Sequence, residues 1–315
     1  MKLAFFLFLC LVLIGCGLFV YTRIEANGIS ERYPPVGQLA EIGGRDIHFV
    51  DVTEGEAPTL PPLLFIHGAS GNLRDQMGAY GEALKGQARM IFVDRPGHGY
   101  SQRGAEAANS PSGHANTYAE LLDDIEIDQA VVVCHSLGCA SAAAMAVLHP
   151  DKIKGLVFVA PATHPWPGGV KWYYDLAAMP LLGRLFTEML TLPVGRLSVD
   201  AGVKSVFSPN EATDDYAEMS ALPLLFRPWE FRANARDVAN LKGHVSQMAP
   251  RYSEIKKPTV IITGDKDDVV LAEIHSVGLE NAIEGSELVV LRDVGHKPDY
   301  AATQTVIDAI RKVAQ

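Results

Sequence analysis

Apolar residues in this 315-residue chain fall mostly in short unbroken runs rather than in strict alternation. Leu63–Ile66, Met90–Val93, Val131-Val132-Val133, 153–160, Thr259–Gly264 and Glu287–Leu291 are each apolar almost throughout. Runs of that length suit strands buried on both faces. Between them lie helical patterns: about 72–84, with Asn72 placed to cap it, then about 115–125, 269–282 and 300–313. Strands separated by helices predict an α/β fold, a mostly parallel sheet covered by helices on both faces. The start of the core reads differently. There 39–42 and 46–50 alternate around Gly43-Gly44 and predict a hairpin.

Two stretches break this rhythm. From Leu3 to Tyr21 the chain has no charge and is long enough to cross a bilayer as a helix. Residues 1–22 are therefore expected to be a transmembrane anchor or a signal segment, and 23–35, with Pro34-Pro35, a linker. A cleaved signal would have a shorter apolar region ending at a small-x-small site, and none is obvious before Ala26. Leu13-Ile14-Gly15-Cys16 also looks like a lipoprotein cleavage box with Cys16 as the lipidated residue, yet Gly17-Leu18-Phe19-Val20-Tyr21 prolongs the apolar run beyond it. Lys2 and the amino terminus are positive, while Arg23, Glu25, Glu31 and Arg32 cancel. The positive-inside rule then places the catalytic body outside the cytoplasm, in the periplasm if the host is a bacterium. The second break, 163–251, scatters prolines from Pro165 to Pro228 among short helix-like segments and holds Trp166, Trp172 and Trp229. It is expected to be a helical insertion capping the carboxyl edge of the sheet, between core portions 36–162 and 252–315.

Bulk properties narrow the chemistry. A net charge of -10 leaves no basic stripe for nucleic-acid phosphates. Four cysteines are too few for a disulfide framework, and no Cys/His spacing fits a zinc site. All four are expected to be free and buried, and no metal or organic cofactor is implied.

Candidate reactive groups sit where a parallel sheet binds ligands, past the carboxyl ends of its strands. Cys134-His135-Ser136-Leu137-Gly138 follows the Val131 run and precedes an alanine-rich helix. The two positions flanking the serine at a distance of two must be small for strand and helix to close up. His67-Gly68-Ala69 follows the Leu63 run, Gly264-Asp265-Lys266-Asp267-Asp268 the Thr259 run, and Asp293-Val294-Gly295-His296 the last run. Serine, acid, histidine in that chain order, each after a strand, resembles the α/β-hydrolase fold superfamily, in its serine-hydrolase branch with a helical cap. The likeness covers about 36–313 and is weakest in the cap. Cys134 departs from it by standing where the first elbow glycine is usual.

The resemblance implies Ser136 as nucleophile, His296 as general base and acid, and Asp267, fourth in G-x-x-D, as the acid that orients the imidazole. Asp268 is the alternative acid. The backbone N–H groups of Ala69 and Leu137 are implied as the oxyanion hole. His67, Asp94, His98 and His135 are read as structural, and some of the cap aromatics as lining an apolar pocket. The expected activity is hydrolysis of a carboxylic ester of a small or medium apolar substrate through an acyl-enzyme. Lactonase, thioesterase, amidase or carbon–carbon bond hydrolase chemistry on the same triad is the alternative, and a non-catalytic ligand-binding protein the alternative of another class. The expected partners are a small ester-type molecule and, through the N-terminus, a membrane.

Overall fold

The computed structural model describes residues 1–53 and 58–315. Its first element, α1 (Lys2–Arg32), carries the N-terminal apolar run and continues unbroken through most of the stretch read as a linker. The helix persists there because Thr22, Ala26 and Ile29, at helical spacing, are buried against other helices. Its apolar half is uncovered by the rest of the chain and is long and apolar enough to cross a membrane.

The hairpin forms as the alternation predicts: β1 (Gln38–Ile42) and β2 (Arg45–Val52) pair antiparallel through Gly43 and Gly44. Both glycines have positive φ, 56° and 72°, the backbone that a tight two-residue hairpin turn requires. Then follow β3 (Leu63–Ile66), α2 (Leu73–Tyr80), β4 (Met90–Val93), α3 (Pro111–Asp124), β5 (Ala130–His135), α4 (Gly138–Leu148) and β6 (Ile153–Val159). Among the described residues, helices alone separate β6 from the next strand. These are α5 (Trp172–Ala178), α6 (Leu182–Phe186), a π turn at Thr187–Thr191, α7 (Leu192–Phe207), α8 (Tyr216–Met219) and α9 (Pro228–Met248), with short 3-10 turns between. The chain closes with β7 (Thr259–Gly264), α10 (Ala272–Ala282), β8 (Glu287–Leu291), α11 (Pro298–Ala301) and α12 (Thr303–Val313).

The eight strands form one sheet in the order β1-β2-β4-β3-β5-β6-β7-β8. Apart from the pairings of β2 with β1 and β4, all are parallel. Both sheet faces are covered. Leu64, Ile66, Val132 and Cys134 pack beneath α3 and α4, while the alternate residues Leu63, Phe65, Val131 and Val133 pack beneath α2 and α12. That division explains why the strands read as continuous apolar runs. The chain leaves β3 in one direction for β4 and returns on its other side for β5. The carboxyl ends of β3 and β5 therefore bound a topological switch point, where such sheets open a crevice.

Helix boundaries shift where side chains capture backbone donors. α3 starts earlier than 115 because Ser110 Oγ accepts from Gly113 N–H (3.0 Å) and Pro111 suits the first turn. α10 starts later than 269 because the N–H groups of Val269 and Val270 donate to Asp267 Oδ1 (3.0 and 2.9 Å). The free thiols expected at the elbow are instead a disulfide, Cys134–Cys139. The turn brings their Cα atoms to 5.0 Å, within bridging reach, although five positions separate them in sequence. Cys10 and Cys16, on α1, are free thiols as expected but are not buried: Cys10 is half-buried and Cys16 exposed, because the apolar half of α1 lies outside the core.

Candidate active site

Ser136 sits at the tip of the turn between β5 and α4 with φ 51°, a left-handed backbone that few non-glycine residues adopt. Its N–H donates to Val159 O (3.0 Å) and its carbonyl accepts from Ala162 N–H (3.1 Å), so β6 holds the strained turn in place. A Cβ at Gly138 would collide with the His67 carbonyl oxygen, which is why the helix can start so close to β3 only with glycine there. On the other side of the serine the small-residue demand is met by Cys134, whose side chain turns away into the bridge with Cys139.

The loop after β8 delivers His296, and that after β7 delivers Asp267. His296 Nε2 lies 2.9 Å from Ser136 Oγ, and His296 Nδ1 lies 2.7 Å from Asp267 Oδ2. All three residues are buried. Asp267 Oδ1 accepts the two N–H groups that precede α10, so its other oxygen is aimed at the imidazole. Asp268 is exposed. Neither the Ala69 nor the Leu137 N–H has an acceptor among the described residues, leaving both available beside Ser136. The turn holding Ala69 is fastened from α9. Ser70, at φ 61°, donates its N–H to Asn234 Oδ1 (2.7 Å), and Asn234 Nδ2 donates to Ser70 Oγ (3.1 Å).

His67 accepts from Arg95 N–H through Nε2 (3.0 Å) and donates from Nδ1 to Gly68 O (2.9 Å). Burial and then Arg95 hold its pKa down at about 3, so it stays neutral while shaping the turn. Asp94 accepts from the N–H groups of Leu73 (2.8 Å) and Tyr100 (2.9 Å). The Arg95 guanidinium engages Asp237 on α9 (3.0 Å), beside the buried pair Arg227–Glu230 (2.6 Å). These contacts lock α9 over the loop after β4.

Behind His296 lies a buried charge cluster that pattern reading missed. His135 donates from Nε2 to His296 O (2.8 Å). Burial, with Lys297 nearby, keeps its pKa well below the ordinary value, so it holds the loop as a neutral donor. Lys297 Nζ lies 2.9 Å from both Asp75 Oδ2 and Asp299 Oδ2, and Tyr216 donates to Asp75 Oδ1 (2.9 Å). Burial disfavours the Lys297 charge, but Asp299 and Asp75 outweigh it and raise its pKa. Asp75, despite burial, is held below the usual carboxylate value by Lys297, whereas burial pushes Asp299 up. Asp75, His135 and Asp299 bring donor atoms within 4.8 Å of one another, and the Lys297 ammonium supplies the cation for that set. The one sequence signal was the run His296-Lys297-Pro298-Asp299, a lysine and an acid directly after the predicted base. Lys297→Met should destabilise the fold by about 3–5 kcal/mol, since it strands two buried carboxylates. Denaturant titration of the two proteins in the same detergent checks this, and equal midpoints would remove Lys297 from the support of His296.

An apolar wall adjoins the serine: Leu137 and Ala69 pack with Trp166, Val238, Leu241 and Val270. Of the three tryptophans only Trp166 lies in this wall. Trp172 and Trp229 are exposed on the inserted helices.

The family model described as "alpha/beta hydrolase fold" matches residues 61–298. Among curated proteins, the chain is 25% identical over 290 residues to the dihydrolipoyllysine-residue acetyltransferase component of an acetoin cleaving system from Pseudomonas putida, covering 90% of this chain and 70% of that protein. It is 24% identical over 261 residues to the 2-hydroxy-6-oxononadienedioate/2-hydroxy-6-oxononatrienedioate hydrolase of Escherichia coli, covering 79% and 84%. Among solved structures, the enol-lactonase from Burkholderia xenovorans LB400 superposes with a TM-score of 0.68 at 20% identity, covering 87% of this chain and 100% of that one. A family match across most of the chain, agreeing with the strand order, leaves one conclusion: the chain belongs to the α/β-hydrolase fold family.

Proposed function

We propose that this hydrolase-fold protein is a serine hydrolase that cleaves a carboxylic ester of a small or medium apolar substrate through an acyl-enzyme. The observation carrying the reading is the continuous path Ser136 Oγ–His296 Nε2 and His296 Nδ1–Asp267 Oδ2, at 2.9 and 2.7 Å. Ser136 Oγ attacks the ester carbonyl as His296 takes its proton, and Asp267 stabilises the imidazolium. The oxyanion that forms is received by the N–H groups of Leu137 and Ala69. His296 returns the proton to the departing alcohol, and a water activated by the same imidazole then hydrolyses the acyl-serine.

The surroundings favour an apolar ester over a doubly charged substrate such as the dioate in the name of the E. coli relative. Carboxylates taken out of water need cationic partners. Arg95 and Lys297, the buried cations flanking the site, are already engaged by Asp237 and by Asp75 and Asp299. The wall beside Ser136 is aliphatic and aromatic. The inserted helices act as a cap over this site, with α9 as its inner layer. Helix α1 serves as a retained membrane anchor with the body outside the cytoplasm. The Cys134–Cys139 disulfide supports that placement, because such bridges persist in oxidising compartments.

The test is a rapid-mixing experiment with p-nitrophenyl esters followed by intact-mass and peptide-mass measurement. A burst of p-nitrophenol and an acyl adduct on the Ser136 peptide are expected, with higher kcat/KM on esters than on matched lactones, thioesters or amides. Turnover without an adduct, or a preference for another bond class, would overturn the reading.

A further inference from the structure

The outer layer of the inserted helices is unusually apolar for a surface. Trp172, Leu181, Leu182, Leu185, Val194 and Leu197 are each 56–90% exposed. They lie on or immediately before α5, α6 and α7, of which α5 packs on α6 and the π turn packs on both α6 and α7, so the exposed apolar residues come from one contiguous layer rather than from scattered positions.

This face adjoins α1. A Cβ at Gly15 would lie 3.5 Å from Met189 Sδ in the π turn, and the stripe continuing through Ala26 and Ile29 packs on Leu192, at the start of α7, and on the 3-10 turn Leu222–Phe226. Ion pairs mark where α1 leaves its apolar run: Arg23 with Glu188 (2.6 Å), and Arg196 with Glu25. From Tyr21 back to Gly15 the helix rises about 9 Å. Met189 therefore touches α1 well inside the apolar run, at the depth of about 5–10 Å typical of helices that lie in a membrane interface. Arg184, exposed among the α6 leucines, has a side chain long enough to reach headgroups from there.

We propose that this face of α5, α6 and α7 is seated in the same bilayer that holds α1, and that the substrate is an amphiphilic ester whose acyl chain is dissolved in that bilayer. The proposal rests on the reading of α1 as a retained anchor and of Ser136 as an ester-cleaving nucleophile. The commitment to lipid, rather than to a second protein, follows from continuity. The leucine face extends the surface of a helix none of whose residues is buried by the rest of the chain over its apolar window. The inner layer completes the argument. Helix α9 packs against α5 and α6 on one side, while its Val238 and Leu241 join Leu137 and Ala69 on the other. A single helix thus separates the lipid-facing surface from the apolar wall of the site.

The experiment uses the full chain in phosphatidylcholine vesicles with acyl chains brominated at carbons 6 and 7, beside unbrominated vesicles. Tryptophan emission should be quenched by bromine, and most of the quenching should vanish in Trp172→Phe. Emission blind to bromine, in protein that still floats with the vesicles, would overturn the proposal. So would quenching that disappears as protein density rises, because a second copy would then cover the face. A second arm compares wild type with Leu181→Glu, Leu185→Glu, Leu197→Glu combined. Turnover of a soluble short-chain ester in detergent should stay within about twofold, while that of a long-chain ester held in vesicles should fall about tenfold or more. Equal rates on the vesicle substrate would overturn it. The quenching needs no catalysis, so a quenched protein that cleaves no ester would refute the ester reading alone.

Discussion

Ser136→Ala is expected to lower kcat for p-nitrophenyl ester hydrolysis by about five to six orders of magnitude and to abolish labelling by a fluorophosphonate. The size follows from what the side chain does. Without Oγ no acyl-enzyme can form, and His296 Nε2 loses the partner 2.9 Å away from which it would take a proton. The free N–H groups of Ala69 and Leu137 and the apolar wall remain, so a small acceleration over water should persist. The fold should tolerate the change. The backbone bonds that hold the left-handed turn, from Ser136 N–H to Val159 O and from Ala162 N–H to Ser136 O, do not involve the hydroxyl. Thermal melts of the two proteins in one detergent serve as the control. Fluorophosphonate labelling that survives in a folded Ser136→Ala protein would move the nucleophile elsewhere.

Asp267→Asn is expected to cost about three to four orders of magnitude in kcat, against no more than about twofold for Asp268→Asn. In the asparagine variant the amide oxygen can still accept from Val269 and Val270, preserving the turn. The atom facing His296 Nδ1 then becomes an NH2 group. A donor there forces Nδ1 to accept, which leaves the ring proton on Nε2, pointing at Ser136, and removes the base. Asp268 is exposed and makes no such contact. Steady-state kinetics on one soluble ester decide the matter, and a larger loss for Asp268→Asn would shift the acid by one residue.

These predictions were legible in the chain because the groups concerned sit at strand ends, and strand ends can be read from apolar runs. Val131-Val132-Val133 and Thr259–Gly264 announce where turns must follow, and a parallel sheet aligns those turns along one edge. Gly138 carries its own signal, since only glycine fits against the His67 carbonyl. The charge cluster was not legible in the same way. Asp75 and Lys297 are 222 positions apart, and nothing in either neighbourhood says that both are buried together. Asn234 lies on an unremarkable polar stretch of α9, and its bond to Ser70 exists only because the inserted helices fold back over β3. The elbow disulfide escaped notice for a simpler reason: the turn that brings Cys134 to Cys139 also makes Cys134 look like a substitute for glycine.

The amino-acid sequence alone determined the alternation of strand and helix, the capping of α2 by Asn72, the Gly43-Gly44 turn and the position of the apolar α1. Each depends on neighbours within a few residues, through burial periodicity and turn chemistry. Tertiary structure alone decided the 2.9 Å approach of His296 Nε2 to Ser136 Oγ across 160 positions, the placing of Lys297 between Asp75 and Asp299, and the exposure of the leucines of α6 and α7. These depend on how distant segments pack, and packing selects partners by shape and by desolvation, which no local pattern encodes.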